Sequence, residues 1–301
     1  MLELLSPPLS VPGLEIRMLA AVAFTAAAAY YDVFNKKWVP NWLLYAFIGA
    51  AVLLNTVFFE PALFAQALIL GAAAFLVCYP IYRLGQLGGA DVYAYAAIAA
   101  TLPYLPKPLL APAQSVPYPF IFSVLAPTGL AFILHMLARF IPYISRQVSA
   151  GRIKLTYSRL APPALVSLAF AFFAYVLSSL PVSLPLSYVA VLSLLFLALV
   201  FFSAFKQEIK DSMVQLLPVS RLQEEDVLAL EKLNPALVRR LSLQPLLSAK
   251  SIAALKKSKL RRVPVYTKMP FFLPYLLFGL LFTVLFGDLI FYIIGMPLRP
   301  F

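Results

Sequence analysis

Residues 83–93 read RLGQLGGADVY and place a carboxylate, Asp91, at the start of a long apolar segment. Gly88, Gly89 and Ala90 directly precede this aspartate and carry no bulky side chain. Another helix or an extended peptide backbone can therefore come very close to Asp91. This GGAD stretch, residues 88–91, predicts a site that acts on a polypeptide main chain.

The composition predicts a polytopic membrane protein. Of the 301 residues, 62% are hydrophobic and 12% are charged, and several apolar runs approach the ~20 residues that cross a bilayer. The net charge is +12, but the basic residues lie in the joints between apolar runs, where they orient the chain and meet anionic lipid. This distribution favours membrane lipids as partners and argues against nucleic acid.

We predict an all-α fold, a membrane bundle of about eight transmembrane helices. The fourth run is short and is expected to be irregular or tilted, and the fifth is expected to kink at Pro119 and Pro127. The predicted parts are a catalytic bundle (1–205), a basic cytoplasmic helical loop (206–268) and a final helix (269–301). The apolar runs occupy residues 14–34, 41–59, 62–84, 91–105, 117–140, 161–181, 184–205 and 270–294.

The basic residues predict the orientation of the bundle. If the N-terminus lies outside, 21 of the 24 Lys and Arg residues fall on the cytoplasmic side, and only Arg17, Lys107 and Arg299 fall outside. Under this topology Asp91 and a second carboxylate, Asp32, lie at the same depth near the cytoplasmic face. Asp32 stands near the end of the first apolar run, and Asp91 stands at the start of the fourth.

Residues 206–268 predict a small helical layer on the membrane surface. Residues 220–223 resemble a capping box before a helix over 224–233, Pro235 opens a second helix, and residues 250–262 suit a third. The acidic run Glu224-Glu225-Asp226 then follows an N-cap, where the helix dipole favours negative charge.

Two facing carboxylates suggest a specific chemistry. At a few ångströms they cannot both ionise easily, so one keeps a proton while the other acts as a base on water. Such a pair hydrolyses a peptide bond with no metal and no cofactor. The chain has one cysteine, Cys78, and one histidine, His135, which form no cysteine–histidine or metal constellation.

Three sets of residues carry a resemblance to a known family. Asp32 with Lys37 and Val39-Pro40-Asn41 resembles the first-aspartate motif of the type IV prepilin peptidases, and the GGAD stretch resembles their GxGD motif. The C-terminal residues 269–275, which include Pro270 and Pro274, with Gly279 and Gly287-Asp288, are similar to the last helix of the archaeal preflagellin (archaellin) peptidases.

The resemblance implies an intramembrane-type aspartyl protease that removes short leader peptides from archaellin and pilin precursors at the cytoplasmic face. It assigns the catalytic roles to Asp32 and Asp91, with Gly88, Gly89 and Ala90 as the surface for substrate approach. Ala90 replaces a glycine of the motif, and Tyr93 stands where the family often has lysine. Residues 161–205 resemble an insertion.

Three alternatives stay open. A proton-coupled transporter also uses carboxylate pairs, but the aspartates are expected at one face rather than at the midplane, and no inverted repeat is seen. Tyr31-Asp32 is similar to presenilin and signal peptide peptidase, whose aspartates lie on adjacent segments. The third is a catalytically silent assembly protein of a surface filament.

Two further acidic sites carry expectations. Asp288 lies ~27 Å along a continuous helix from Pro270 and is expected to be solvated at the outer headgroups. The run Glu224-Glu225-Asp226 is expected to cap a helix, or else to contact a basic leader.

Overall fold

The computed structural model describes residues 11–35, 38–114, 116–153, 157–179, 185–258, 260–267 and 269–294. Most of these residues lie in helices, which confirms the predicted all-α class. The helices are α1 (Leu14–Phe34), α2 (Asn41–Val57), α3 (Pro61–Arg83), α4 (Gly89–Thr101), α5 (Phe120–Ser149), α6 (Tyr157–Ser179), α7 (Leu186–Ala204), α8 (Lys206–Met213), α9 (Pro235–Arg240), α10 (Ala249–Lys257), α11 (Leu273–Phe286) and α12 (Leu289–Ile294). Two strands, β1 (Val214–Pro218) and β2 (Arg262–Tyr266), pair in an antiparallel ladder.

Five helices of the described residues are long and apolar enough to cross a membrane: α1, α3, α5, α6 and α7. Helices α2 and α11 are apolar but shorter, and α4 has 13 residues. In α6 and α7 only 6% of the apolar window is buried by protein, so these helices are expected to present most of their surface to lipid. The fold is therefore a polytopic membrane bundle, while the count of eight crossings stays a prediction.

The chain divides into two compact units. The first comprises Met1–Pro103 and Lys210–Pro274, and the second comprises Tyr104–Ile209 and Tyr275–Phe301. The first unit holds α1 to α4 and both candidate aspartates. The division predicted from the sequence, at residues 205 and 268, stays a prediction.

Helix α4 packs against α1, α2 and α3, and most of its residues are buried. Six of its thirteen residues are alanine, so the neighbouring backbones can approach closely. A side chain at Gly71 of α3 would meet the Ala100 Cβ at 3.0 Å and the Ala96 carbonyl oxygen at 3.3 Å. Small residues on both helices therefore set the spacing between α3 and α4.

A buried guanidinium ties α1 to α2 and α4. Arg17 is fully buried, and its Nη1 donates to the Asn55 Oδ1 at 2.9 Å and to the Thr101 carbonyl at 3.2 Å. Asn55 in turn donates to the Ala100 carbonyl at 3.0 Å. These bonds satisfy backbone carbonyls at the C-terminal end of α4, which would otherwise be left without donors in an apolar bundle.

The region between α8 and α11 forms a small folded module, here called the polar module (residues 214–266). Its β1 and β2 strands pair so that Leu216 lies opposite Pro264. Helices α9 and α10 confirm two of the three helices expected here. A hydrophobic core holds the module together and comprises Val219, Leu222, Leu228, Leu243, Leu247, Ile252, Leu255, Val263 and Val265.

The helix predicted over 224–233 is wrong. Residues 224–229 form a turn and two isolated bridges, in which Val227 pairs with Leu246 and Leu228 with Val265. These long-range bridges, together with burial of Leu228, outweigh the local capping-box signal because tertiary contacts stabilise more than propensity does. Only Leu230–Lys232 is helical, as one 3-10 turn.

In the second unit, α11 packs closely against α5. Thr283 Oγ1 donates to the Ser123 carbonyl at 3.1 Å, and a Cβ on Gly279 would lie 2.6 Å from the Val124 carbonyl oxygen and would also overlap Thr128 Oγ1. Pro119 precedes α5, so the kink predicted there is wrong; Pro127 and Pro142 lie within the helix. A proline at the N-terminus leaves a helix intact because that amide needs no partner.

The last predicted span is interrupted, and the expectation for Asp288 is wrong. Gly287 has φ +87°, which ends α11, and Asp288 is fully buried instead of solvated. Its carboxylate accepts hydrogen bonds from Tyr118 Oη at 2.8 Å, from Ser123 Oγ, and from the Phe291 amide at 2.9 Å, so it caps α12. The solvated position of Asp288 was expected for a helix that continues from Pro270, and the helix instead ends at Phe286.

Gly279→Ala is expected to destabilise the second unit by about 1–3 kcal/mol, because the new methyl group overpacks α11 against α5. Thermal unfolding of the detergent-solubilised protein measures this. Gly129→Ala is the matched control, since a Cβ at Gly129 meets no atom within 4 Å and alanine is the better helix former. Equal melting temperatures for the two variants would contradict the close α5–α11 contact.

Candidate active site

The structure brings the two predicted aspartates together in the first unit. Asp32 lies in the last turn of α1 and is 8% exposed, and Asp91 lies in the first turn of α4 and is 7% exposed. The charge of Asp32 acts on the Asp91 carboxyl, so the two groups are within electrostatic range of each other. Helix α1 ends two residues after Asp32, at Phe34, and the amide of the C-cap residue Asn35 bonds the Tyr31 carbonyl at 2.8 Å.

The GGAD stretch holds Asp91 at the N-terminus of α4. Asp91 Oδ2 accepts a hydrogen bond from the Gly88 amide at 2.8 Å, which satisfies one free donor at the helix start. A Cβ on Gly88 would lie 3.2 Å from the same oxygen and would crowd it. Glycine at position 88 thus leaves space beside the carboxylate, and asparagine at position 91 would keep an acceptor for the amide.

Aromatic and thiol groups lie near Asp91. Cys78 of α3 and Tyr95 of α4 both experience the charge of Asp91. Tyr93 is half-buried, with the Tyr45 and Phe75 rings each 5.9 Å from its own ring centre. Asp32 and Asp91 are both buried, and a low-dielectric environment strengthens the interaction of such carboxyls with developing charge.

The polar module contacts the chain directly before the GGAD stretch. Tyr82 Oη donates to Glu225 Oε1 at 3.0 Å, and Arg83 Nη2 donates to Gln244 Oε1 at 3.4 Å. Gly85 has φ +72°, and a Cβ there would lie 2.9 Å from Val227 Cγ1. Sequence reasoning missed this contact because no local pattern links residues about 140 positions apart.

The other residues predicted to support the site are found as follows. Pro40 is buried before α2, with its carbonyl bonded by the Leu43 amide at 3.0 Å, and Asn41 is the exposed first residue of α2. Pro270 is half-buried before α11, and Pro274 is half-buried in its first turn. Lys37 lies outside the described residues. The roles of these five residues stay predictions.

A metal centre would need several ligands in one place. Within the described ranges, no group of three His, Cys, Asp or Glu side chains is placed to hold a metal ion. The two carboxyls whose charges interact, Asp32 and Asp91, can exchange a proton with a water molecule or with a substrate group.

Comparison with known protein families gives a match over part of the chain. The profile of the type IV leader peptidase family matches residues 19–138, which include both aspartates and the GGAD stretch. This part of the chain is therefore similar to the type IV leader peptidase family, as the sequence resemblance predicted. No curated protein and no solved structure matched the chain significantly.

The family match supports a protease function in general and pilin-type precursors as its substrates. Together with the apolar helices, it supports a multi-pass membrane location. Assignment of the chain to the archaeal preflagellin peptidases stays a prediction.

Proposed function

We propose that the chain is a membrane aspartyl endopeptidase that removes short leader peptides from archaellin- or pilin-type precursors. The observation that carries this proposal is the pair of buried carboxylates, Asp32 and Asp91, whose charges interact within one helical unit of the matched family region. Buried carboxylates are costly in an apolar bundle, so retaining two together favours a chemical role.

In the proposed mechanism the two carboxyls share one proton and bind one water. The ionised carboxylate removes a proton from the water, and the water oxygen attacks the carbonyl carbon of the scissile peptide bond. The protonated partner donates a hydrogen bond to the carbonyl oxygen as negative charge develops there. The C–N bond then breaks, and the leaving nitrogen takes a proton from the dyad.

The GGAD stretch is proposed to admit the scissile segment in an extended form. A helical peptide hides its carbonyl groups in hydrogen bonds, so the substrate must unwind before attack. Gly88 is exposed, Gly89 and Ala90 are half-buried, and none of the three has a large side chain to block a second backbone. The alanine at position 90 is small enough for the same approach.

The proposed substrate is a precursor with a basic leader that ends in a small residue before an apolar stretch. Purified protein incubated with archaellin- and pilin-type precursors is expected to release one leader, seen by mass spectrometry as cleavage just before that stretch. A matched precursor with tryptophan in place of the small residue should be cut at least tenfold more slowly, because a bulky indole would keep the scissile backbone from coming close to the GGAD stretch.

Two results would contradict the substrate proposal. Cleavage inside the apolar stretch would favour a protease of the signal-peptide-peptidase kind. If no precursor were cut while both aspartates were essential for ion or solute flux, the protein would be a proton-coupled transporter.

The site is proposed to open at the cytoplasmic face of the cell membrane. The support is the distribution of basic residues, 21 of 24 on one side when the N-terminus lies outside. Under this topology the polar module, with its many lysines and arginines, lies in the cytoplasm beside anionic headgroups.

Cysteine labelling in sealed vesicles tests the orientation. Single cysteines at the exposed positions Lys107 and Arg240, in a Cys78→Ser background, are expected to react with impermeant reagents from opposite faces. Each labelled variant should retain cleavage, which controls for misfolding. Reaction of both cysteines from the same face would contradict the topology.

A further inference from the structure

The polar module brings a third carboxylate, Glu225, beside the candidate active site. Its Oε2 lies 3.4 Å from the point where a Cβ of Gly89 would stand, two residues before Asp91. Its Oε1 accepts the hydrogen bond from Tyr82 at 3.0 Å. Glu225 remains exposed, so a substrate group can reach its carboxylate.

The three acids of the 224–226 run point to different places. Asp226 Oδ2 accepts from the Gln223 amide at 2.8 Å, and burial raises the pKa of Asp226 while this hydrogen bond opposes the rise. Glu224 lies with α10, in a depression lined by Ile252 and Lys256. Glu225 is thus the member of the run that faces the GGAD stretch. The predicted helix-capping role is wrong because no helix begins at this run.

The backbone holds Glu225 in this place. Its φ is +69°, in the left-handed region that non-glycine residues rarely adopt. The Glu225 amide bonds the Leu247 carbonyl at 2.9 Å, and the Leu247 amide bonds the Asp226 carbonyl at the same distance. These bonds fix the turn, so the direction of the Glu225 side chain is set by the core of the module rather than by the α4 helix end.

We propose that Glu225 is a specificity-determining residue that binds a lysine or arginine side chain of the precursor leader. This inference rests on the proposed peptidase function. Asp32, Asp91 and Glu225 are three carboxyl groups in one region, and such a region attracts cations. Asp32 and Asp91 are buried, whereas Glu225 is exposed. A cationic side chain bound at Glu225 would place the following peptide bonds next to the GGAD stretch and the aspartate pair.

The competing explanation is purely structural, with Glu225 holding the module to Tyr82 and adding negative charge near the start of α4. Glutamine separates the two explanations. It keeps an oxygen acceptor for Tyr82 and the same backbone demand, and it removes only the charge. Glu224→Gln is the matched control because it removes one charge from the adjacent residue, which faces α10.

The experiment compares two purified precursors that differ only in the leader, one with its lysines and arginines and one with glutamines in their place. The measured quantity is the ratio of their kcat/KM values at low ionic strength. Glu225→Gln is expected to lower this preference roughly fivefold, as expected for loss of one exposed ion pair, mainly through KM. Glu224→Gln should keep the wild-type ratio, and high salt should reduce the wild-type preference.

A second comparison in the same experiment reverses the charge at each position. Glu225→Lys is expected to favour a precursor whose leader carries glutamates, and Glu224→Lys is not. If Glu225→Gln slows both precursors equally and lowers the melting temperature, Glu225 has only the structural role and the inference fails while the peptidase function stands. If the wild type cleaves neither precursor, both the inference and the proposed function fail.

Discussion

The candidate site depends on how tightly α4 is enclosed by α1, α2 and α3. Alanines on α4 and Gly71 on α3 bring the helix backbones so close that an added methyl group at position 71 would meet Ala100 at 3.0 Å. This close packing excludes water and lipid from most of α4, and the first turn of the helix, with Asp91, shares the enclosure. The enclosure therefore holds the Asp91 carboxyl in a fixed position, and general acid–base chemistry needs a positioned group.

Backbone polar groups at both ends of α4 have hydrogen-bond partners. The partners at the C-terminal end come from α1 and α2, and the partner at the N-terminal end is a side chain of α4 itself. Arg17 and Asn55 bond the last carbonyls of α4, while Asp91 bonds the Gly88 amide at its beginning. These bonds stabilise a membrane bundle because an unpaired backbone group in hydrocarbon costs several kcal/mol. Asp91 consequently has two roles, helix capping and the proposed chemistry, and a test of the chemistry must leave the capping bond in place.

The sequence predicted the elements that depend on local pattern. The limits of α1 agree with the apolar run at 14–34, and the glycine-rich stretch correctly indicated a carboxylate at the start of the fourth helix. Prediction failed where distant residues decide the structure. The pairing of β1 with β2, the turn at Glu225 and the buried cap formed by Asp288 all depend on partners far along the chain. No periodicity or capping signal contains that information.

The central claim is that Asp32 and Asp91 act as one water-activating unit. A double-mutant cycle measures it directly, with kcat/KM for one precursor determined for the wild type, Asp32→Asn, Asp91→Asn and the double variant. Asparagine keeps the shape and an acceptor for the Gly88 amide, so the melting temperature should change little. We expect each single substitution to lower kcat/KM by about a thousandfold or more, and the double substitution to add little, because groups that act as a unit are lost together. Near-normal turnover in either single variant, or losses that multiply in the double, would contradict the claim.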